Sequence, residues 1–108
     1  MPTNIDVAED FSPVPAGRYI TDGPCSGEAF RDKTLKPALD DGGEVIVEMD
    51  GGEGYGSSFL EETFGGLVRL GYFTKGDLRD RLEIHSDDES LIAEVWDYIE
   101  GASEPALN

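Results

Sequence analysis

The sequence predicts one α/β domain, an open sheet that is mostly parallel near its centre and has helices packed against it. Segments with strand character alternate along the chain with segments that have the 3.6-residue period of an amphipathic helix. The sequence contains no internal repeat and no sign of a second domain. Its 108 residues, 38% of them apolar, can bury a core without disulfide or metal support. We therefore expect a domain over residues 1–101 and a flexible tail over residues 102–108.

Four segments are expected to form strands. Residues 44–49 are rich in β-branched side chains and bounded by turn residues, which predicts a central strand. Residues 5–11 begin with an apolar–polar alternation that indicates a half-buried strand. Residues 18–20 and 82–84 are expected to form two shorter strands.

The first of three expected helices begins after Ser26, a predicted N-cap. Pro37 should kink or end it, because proline lacks the backbone N–H that an inner helical turn requires. The glycine-containing segment 40–43 provides a stop signal.

The second helix is predicted from Ser58 to Gly71. Its apolar side chains recur on one face of a 3.6-residue period at Leu60, Phe64, Leu67 and Val68. Ser58 and Glu61 have the spacing of a capping box, which predicts that Ser58 caps the helix. Gly65 and Gly66 are expected to permit close packing against a strand.

The third helix is predicted to follow a second capping-box spacing, formed by Ser86 and Glu89. An apolar stripe then runs through Leu91, Ile92, Val95, Trp96 and Ile99. Gly101 is its expected end.

The formal net charge is −16, from 24 acidic and 8 basic residues. This balance argues against direct binding to nucleic acid or to an anionic membrane, because both need Lys and Arg to neutralise phosphates. The acidity fits a well-solvated surface, attraction to a basic protein partner, or imitation of the charge of DNA.

The cysteine content and the N-terminal segment indicate the compartment. Cys25 is the only cysteine, so no internal disulfide can form, and a reducing compartment fits best. Proline and charged residues interrupt the first ten positions, so no signal-peptide core is predicted there. No apolar run approaches membrane-spanning length. We therefore expect a cytoplasmic protein.

Residues 51–56, Gly-Gly-Glu-Gly-Tyr-Gly, connect the central strand to the second helix, a position at which anions bind in some proteins. The segment lacks the Lys of a P-loop and the third Gly of a dinucleotide fingerprint. Ser57 and Ser58 do not lie in a nucleophile elbow, and the only histidine, His85, is far away in sequence. The acids lack the alternation of a calcium loop, and one His and one Cys do not support a zinc site. We expect no metal, no cofactor and no enzymatic activity.

Residues 44–51 and the run 56–67, Gly-Ser-Ser-Phe-Leu-Glu-Glu-Thr-Phe-Gly-Gly-Leu, resemble the STAS-like domain family of unknown function. That family's pattern is a strand ending in Asp, a short loop, and Ser-Ser-Phe-x-x-Glu-x-Phe-Gly. Residues 26–31 and the downstream strand and helix fit as well, so the resemblance spans roughly residues 5–100.

This family is similar in turn to the STAS domains of sulphate transporters and anti-sigma factor antagonists. The resemblance implies a mixed sheet of four to five strands with helices mainly on one face. In the antagonists, a partner kinase of the histidine-kinase-like ATPase type phosphorylates the first serine of an Asp-Ser-Ser-Gly segment that opens the second helix, and this toggles binding. Ser57 is the matching serine here, while Gly56 and Phe59 replace the Asp and the final Gly.

We therefore expect a non-enzymatic regulatory module that docks a protein partner through loop 51–58 and the helix after it, with Ser57 or Ser58 as phosphorylation candidates. The partner is expected to be a histidine-kinase-like ATPase or a basic nucleic-acid-binding protein. The residues expected to contact it are Glu53, Tyr55, Gly56, Ser57, Ser58, Phe59, Glu61 and Glu62. The alternative is an acidic inhibitor or DNA mimic, such as a phage-type anti-CRISPR or anti-restriction protein, that blocks a nucleic-acid-binding enzyme. An inhibitor predicts acids clustered on one face, whereas a role in solvation predicts an even spread.

Overall fold

The computed structural model describes residues 2–52 and 54–105, and within these ranges it holds one sheet of three parallel strands. The strands are β1 (Thr3–Asp6), β2 (Val45–Glu48) and β3 (Leu82–His85), and they lie side by side in that order. The α/β class and the central position of the strand after residue 44 are confirmed. The expected mixed sheet of four to five strands is corrected to three parallel strands in the described part of the chain.

In the same described ranges, four helices accompany the sheet. They are α1 (residues 27–40), α2 (residues 57–69), α3 (Lys75–Arg81) and α4 (Glu89–Gly101). The middle segments of α1 and α2, Arg31–Leu35 and Glu61–Gly65, are π-helical. Two short helical turns lie outside them, a π turn at Val7–Phe11 and a 3-10 turn at Ile20–Asp22. None of the described helices combines the length and the apolar composition that crossing a membrane requires.

The first strand is shorter than the sequence predicts, because it ends at Asp6. The Asp6 carboxylate accepts a hydrogen bond from the backbone N–H of Glu9, and the Asp10 carboxylate accepts one from the N–H of Asp6. Such side-chain acceptors compete with sheet hydrogen bonds for the backbone. The chain therefore turns into a helix at Val7 instead of continuing as a strand to Phe11.

The strand predicted at residues 18–20 is wrong for the same reason. The Asp22 carboxylate accepts hydrogen bonds from the N–H groups of Arg18, at 3.2 Å, and Tyr19, at 2.9 Å. These bonds close a turn that leads into the 3-10 segment at Ile20–Asp22. The side chains of Tyr19 and Ile20 are exposed, which a strand inside the sheet would not allow.

The sheet has one covered face and one open face. The strand register aligns Ile5, Val47 and Ile84 in one row. All three side chains are buried and form one core with the apolar side chains of the helices. The next residues along each strand point to the opposite face because side chains alternate along a strand. The helices therefore cover one face, as the resemblance implied.

Helix α1 passes through Pro37 and ends at Asp40. The predicted kink is replaced by the π-helical turn before it, in which the N–H of Lys36 bonds to the carbonyl of Arg31 five residues back. We attribute the tolerance of Pro37 to this wider turn, which relieves the crowding that proline causes in a regular helix. The Ser26 cap is confirmed, since its hydroxyl accepts from the N–H of Ala29 at 3.2 Å.

Two further helix starts differ from expectation. The sequence analysis missed α3, although Thr74 and Asp77 form a complete capping box with hydrogen bonds of 3.0 and 3.1 Å. Helix α4 is capped by Asp88 rather than Ser86, because the Asp88 carboxylate accepts from the N–H groups of Ser90 and Leu91. Ser86 instead accepts from the N–H of Asp88.

Helices α1 and α2 approach each other through glycines. A Cβ on Gly27 would lie 2.5 Å from the carbonyl oxygen of Phe59, and a Cβ on Gly66 would lie 2.6 Å from Arg31 Nη1. The Thr63 hydroxyl donates to the carbonyl of Gly27 at 3.1 Å across the same contact. The prediction of close packing at Gly66 is therefore confirmed, but the element that packs against this glycine is helix α1 and not a strand.

The chain beyond α4 is described as far as Pro105. The Glu104 carboxylate accepts from the N–H of Lys75, and the Pro105 ring lies near Gly71. Residues 106–108 of the expected flexible tail lie outside the described residues, so flexibility of the tail stays a prediction.

Candidate partner-docking site

The loop after β2 is fixed at its first residue, Asp50. Its carboxylate accepts hydrogen bonds from the Ser86 hydroxyl at 2.9 Å and from the N–H of Asp87 at 2.9 Å. Ser86 and Asp87 follow β3, so these bonds tie together two loops at the carboxyl ends of adjacent parallel strands. This edge is where ligands commonly meet an open α/β sheet.

The far end of the loop is held by Tyr55. Its hydroxyl donates to the carbonyl of Met49 at 2.8 Å, and its ring packs against Phe59 at 5.7 Å between centroids. Burial, followed by the nearby charges of Asp6 and Asp50, raises the pKa of Tyr55 to about 12. The phenol therefore remains a neutral donor at physiological pH. Between these two fixed points, Gly51 and Gly54 take φ values of +91° and +113°, which glycine adopts readily.

Helix α2 begins one residue before the predicted start, and its N-cap is Gly56. Gly56 has no side chain with which to cap, and Ser58 lies inside the first turn, so the predicted Ser58–Glu61 capping box is wrong. Ser57 and Ser58 are both exposed, whereas Phe59 and Leu60 are buried. The first turn therefore presents two hydroxyls to solvent beside backbone N–H groups that have no capping side chain.

The surroundings of Ser57 are acidic. Its hydroxyl interacts with the phenol of Tyr98, which itself donates to Glu94 Oε2 at 3.0 Å. Burial and Glu94 raise the pKa of Tyr98, and Ser57 lowers it by a smaller amount. A phosphate on Ser57 would gain from the helix dipole and would be repelled by the carboxylate of Glu94 beside Tyr98.

A partly buried cluster of charged side chains lies one turn further along α2 than the serines. Glu62 Oε2 accepts from Arg31 Nη1 at 2.5 Å, and Glu62 Oε1 accepts from Arg18 at 3.2 Å and from Arg69 at 3.0 Å. Arg18 and Arg69 also bond to the carboxylate of Glu61. These five residues, which we call the ion cluster, join the loop before α1, the middle of α1 and both halves of α2.

The pKa shifts within the ion cluster show which force dominates. Burial alone would raise the pKa of Glu61, but hydrogen bonds and charge from Arg18 and Arg69 outweigh it and hold that pKa below its usual value. Burial alone would lower the pKa of Arg31, yet its hydrogen bonds to Asp32 and Glu62 raise it. The charged forms are therefore the stable ones at this helix contact.

The eight residues expected to contact a partner fall into different environments. Tyr55 is half-buried, Gly56, Ser57 and Ser58 are exposed, and the Glu61 side chain is 27% exposed. Two others are buried: Phe59 stacks on Phe30 at 6.1 Å, and Glu62 belongs to the ion cluster. Phe59 and Glu62 support the helix from beneath, and contact of these residues with a partner stays a prediction. Glu53 lies outside the described residues.

A cleft of about 320 Å³ adjoins the loop and the start of α4. Its polar lining residues include Asp50, Tyr55, Ser86, Ser90 and Glu94. Within residues 2–52 and 54–105, no group of three or more His, Cys, Asp or Glu side chains is arranged to hold a metal ion.

Of the two chemically reactive side chains singled out by the sequence, His85 lies apart from the serines. His85 is on the open face of the sheet, where its ring contacts the carboxylates of Glu83 and Glu48. Helix α2 covers the opposite face, so the described fold does not bring His85 to Ser57. Cys25 is a half-buried free thiol just before the α1 cap.

A family model covers the part of the chain that contains this candidate site. The model of the family described as STAS-like domain of unknown function (DUF4325) matches residues 26–91, which is more than half of the chain. The chain belongs to the STAS-like family. The match begins at the Ser26 cap, contains β2, the loop, α2 and β3, and stops in α4. No curated protein and no solved structure matches the chain.

The site residues that sequence reasoning missed are the three arginines of the ion cluster. Arg18, Arg31 and Arg69 are separated by long stretches of sequence and share no local pattern. The available signal was the pair Glu61-Glu62 in the middle of a helix rich in buried side chains, because a buried carboxylate requires a partner.

Proposed function

We propose that this STAS-like domain is a regulatory protein-interaction module that docks a protein partner through loop 51–58 and helix α2. The observation that supports this is the exposed pair Ser57 and Ser58 at the start of α2, next to a loop fixed at Asp50 and Tyr55. An exposed helix start on a rigid support offers a partner a defined shape at little ordering cost. Membership of a STAS-like family supports the same regulatory role.

In this proposal, Ser57 carries the switch and the partner is a histidine-kinase-like ATPase. Phosphorylation adds up to two negative charges. Because the Tyr98 phenol lies close to Ser57 and donates to Glu94, the added charge forces Tyr98 and Glu94 away or displaces the partner. Both effects lower the affinity of a partner that binds the unmodified helix start.

The test combines phosphorylation and binding. The domain is incubated with the histidine-kinase-like ATPases of its host and ATP, and modified residues are located by mass spectrometry. Calorimetry then measures the binding of such an ATPase to the wild type, to Ser57→Asp and to the matched control Ser103→Asp. The control changes an exposed serine beyond α4. We expect phosphate on Ser57 and about a tenfold weaker Kd for Ser57→Asp alone. An unmodified protein, together with equal affinity for all three forms, refutes the switch.

The second candidate, an acidic inhibitor of a nucleic-acid-binding enzyme, is supported by the charge pattern. Neither the strands nor the loops that follow them at residues 7–17, 49–56 and 86–88 contain a Lys or Arg. A basic nucleic-acid groove would be attracted to such an edge. Inhibition of a DNA-binding enzyme that disappears as salt rises supports this candidate, whereas inhibition that is independent of salt rejects it.

A further inference from the structure

The open face of the sheet consists of two rows of side chains, which the strand register aligns. One row is Asn4, Ile46 and Glu83, and the other is Asp6, Glu48 and His85. Asn4, Glu83 and His85 are exposed, and the other three are half-buried. The helices pack on the opposite rows, which contain the buried residues of the same strands.

An uncovered face is unusual for this type of sheet. Parallel sheets occur almost only with both faces covered, whereas antiparallel sheets often keep one face in water. The central strand keeps an apolar residue at the middle of this face, Ile46, and it is not among the side chains that pack against the core. The open face therefore has one half-buried apolar side chain at its centre, and the described chain leaves this face uncovered.

The rim of this centre is acidic. Three carboxylates, from Asp6, Glu48 and Glu83, surround Ile46, and the three strands contain no Lys or Arg. His85 lies between two of them, with Nδ1 4.0 Å from Glu48 Oε2 and Nε2 against Glu83. Across the described chain, the basic side chains belong to the helices or to the loop before α1. A basic occupant is the one that this charge pattern attracts.

The dimensions of the face limit the size of the occupant. Three strands spaced about 4.8 Å apart span about 10 Å between the outer two, close to the diameter of one α-helix. Four residues of strand extend about 13 Å, which a helix covers with about nine residues. From this size and charge, we propose that the open face binds a basic amphipathic helix of another protein, with an apolar side chain on Ile46 and Lys or Arg beside Asp6, Glu48 and Glu83.

The charge pattern argues against a second copy of the chain as the occupant. Two open faces brought together would oppose the same three carboxylates with only His85 on each face to compensate them, and like charges placed close together in an interface cost several kcal/mol. The proposal also does not depend on the proposed function, because Ser57 and α2 lie on the covered side of the sheet.

The experiment uses the whole chain and two model peptides. The first is a helical Leu/Lys peptide with one leucine stripe between rows of lysines, and the second replaces its lysines with glutamates. Binding is followed by fluorescence titration at low salt, and the bound surface is mapped from amide shifts in NMR spectra. We expect the Leu/Lys peptide to bind and to shift the amides of β1, β2 and β3 around Ile46. The Leu/Glu peptide should not bind.

Matched variants separate this face from general attraction to an acidic protein. Glu48→Lys/Glu83→Lys reverses two charges on the open face, and Asp80→Lys/Asp97→Lys reverses two exposed charges on α3 and α4. We expect the first pair to weaken binding about tenfold or more and the second to leave it within about twofold. Ile46→Ser should weaken binding several-fold with an unchanged circular dichroism spectrum. Equal weakening by both charge pairs, peptide-induced shifts confined to the helices, or dimerisation through the open face would overturn the proposal.

Discussion

Arg31 donates to both the backbone carbonyl and the side-chain carboxylate of Glu62, at 2.9 and 2.5 Å, and both side chains are almost completely buried. The two residues belong to different helices and are separated by 31 positions in sequence. Because the guanidinium and the carboxylate are both removed from water, each depends on the other to compensate its lost hydration. The ion cluster therefore sets how α2, and the serines at its start, sit against α1.

Removing one partner of this pair should destabilise the fold strongly. We expect Glu62→Gln to lower the free energy of unfolding by about 3 kcal/mol, because the buried Arg31 charge then keeps only the partly exposed carboxylate of Asp32 as a counterion. Urea denaturation followed by circular dichroism measures the change. The control is Glu100→Gln, which removes the carboxylate of the exposed pair with Arg79. A loss for Glu62→Gln no larger than that of the control would contradict the importance of burial.

The contribution of Glu61 should disappear in acid. Its folded-state pKa lies below the ordinary value of 4.5 because Arg18 and Arg69 favour the charged form. A lowered folded pKa means that the unfolded state binds the proton more readily, so the stabilisation is complete above about pH 4.5 and is lost as the pH falls through the folded pKa.

Wild type and Glu61→Gln should therefore differ in stability at pH 7 and converge as the pH falls through the lowered folded-state pKa of Glu61. Comparing the two proteins removes the contribution of the other carboxylates, which titrate in both. Thermal unfolding across this pH range provides the measurement. A stability difference that stays constant from pH 7 to pH 3 would show that Glu61 acts through packing and not through its charge.

Two glycine-to-alanine substitutions should have opposite effects. Gly27→Ala places a Cβ 2.5 Å from the carbonyl oxygen of Phe59, so α1 and α2 must separate, at a cost of about 1–3 kcal/mol. Gly76→Ala in α3 meets only an ordinary contact, 3.8 Å from the Thr74 hydroxyl, and should stabilise by up to about 1 kcal/mol through helix propensity. The denaturation midpoints of the two variants, compared with that of the wild type, test both predictions. Stabilisation by Gly27→Ala would refute the close approach of α1 and α2.

The capping assignments can be checked with two substitutions on the surface. Asp88→Ala removes the side chain that accepts from the N–H groups of Ser90 and Leu91, and it should lower Tm. Ser58→Ala should leave Tm unchanged or raise it slightly, because Ser58 lies within the first turn of α2 and alanine is the better helix former. Differential scanning calorimetry gives both values. A lower Tm for Ser58→Ala together with an unchanged Tm for Asp88→Ala would instead support the capping box that the sequence predicts at Ser58.

Several features of the site follow from local sequence. The β-branched run at residues 44–49 predicts β2, and the glycines and serines after it predict a turn into an exposed helix start. Ser26 is recognised as an N-cap because the N–H of Ala29, which donates to its hydroxyl oxygen, lies three residues away. In each case the interaction that stabilises the element lies within a few residues, so a local pattern contains it.

Other features were predicted wrongly because the alternatives differ little in local energy. Asp22 and Asp10 convert predicted strand residues into turns by accepting backbone hydrogen bonds. At the start of α4, Ser86 and Asp88 both have side chains that can cap, and Asp50 resolves the choice by holding the loop that contains Ser86. That contact links residues 36 positions apart and has no local signature.

By itself, the sequence determined the α/β class, the central strand, the family and the exposure of the serines that open α2. Only the tertiary structure decided the number of strands, the Arg18–Arg31–Arg69 partners of Glu61 and Glu62, and the open acidic face around Ile46. The physical reason is the distance along the sequence over which each kind of interaction acts. Propensity, turns and caps act over a few residues, whereas ion pairs and strand register depend on which distant segments the packed core brings together.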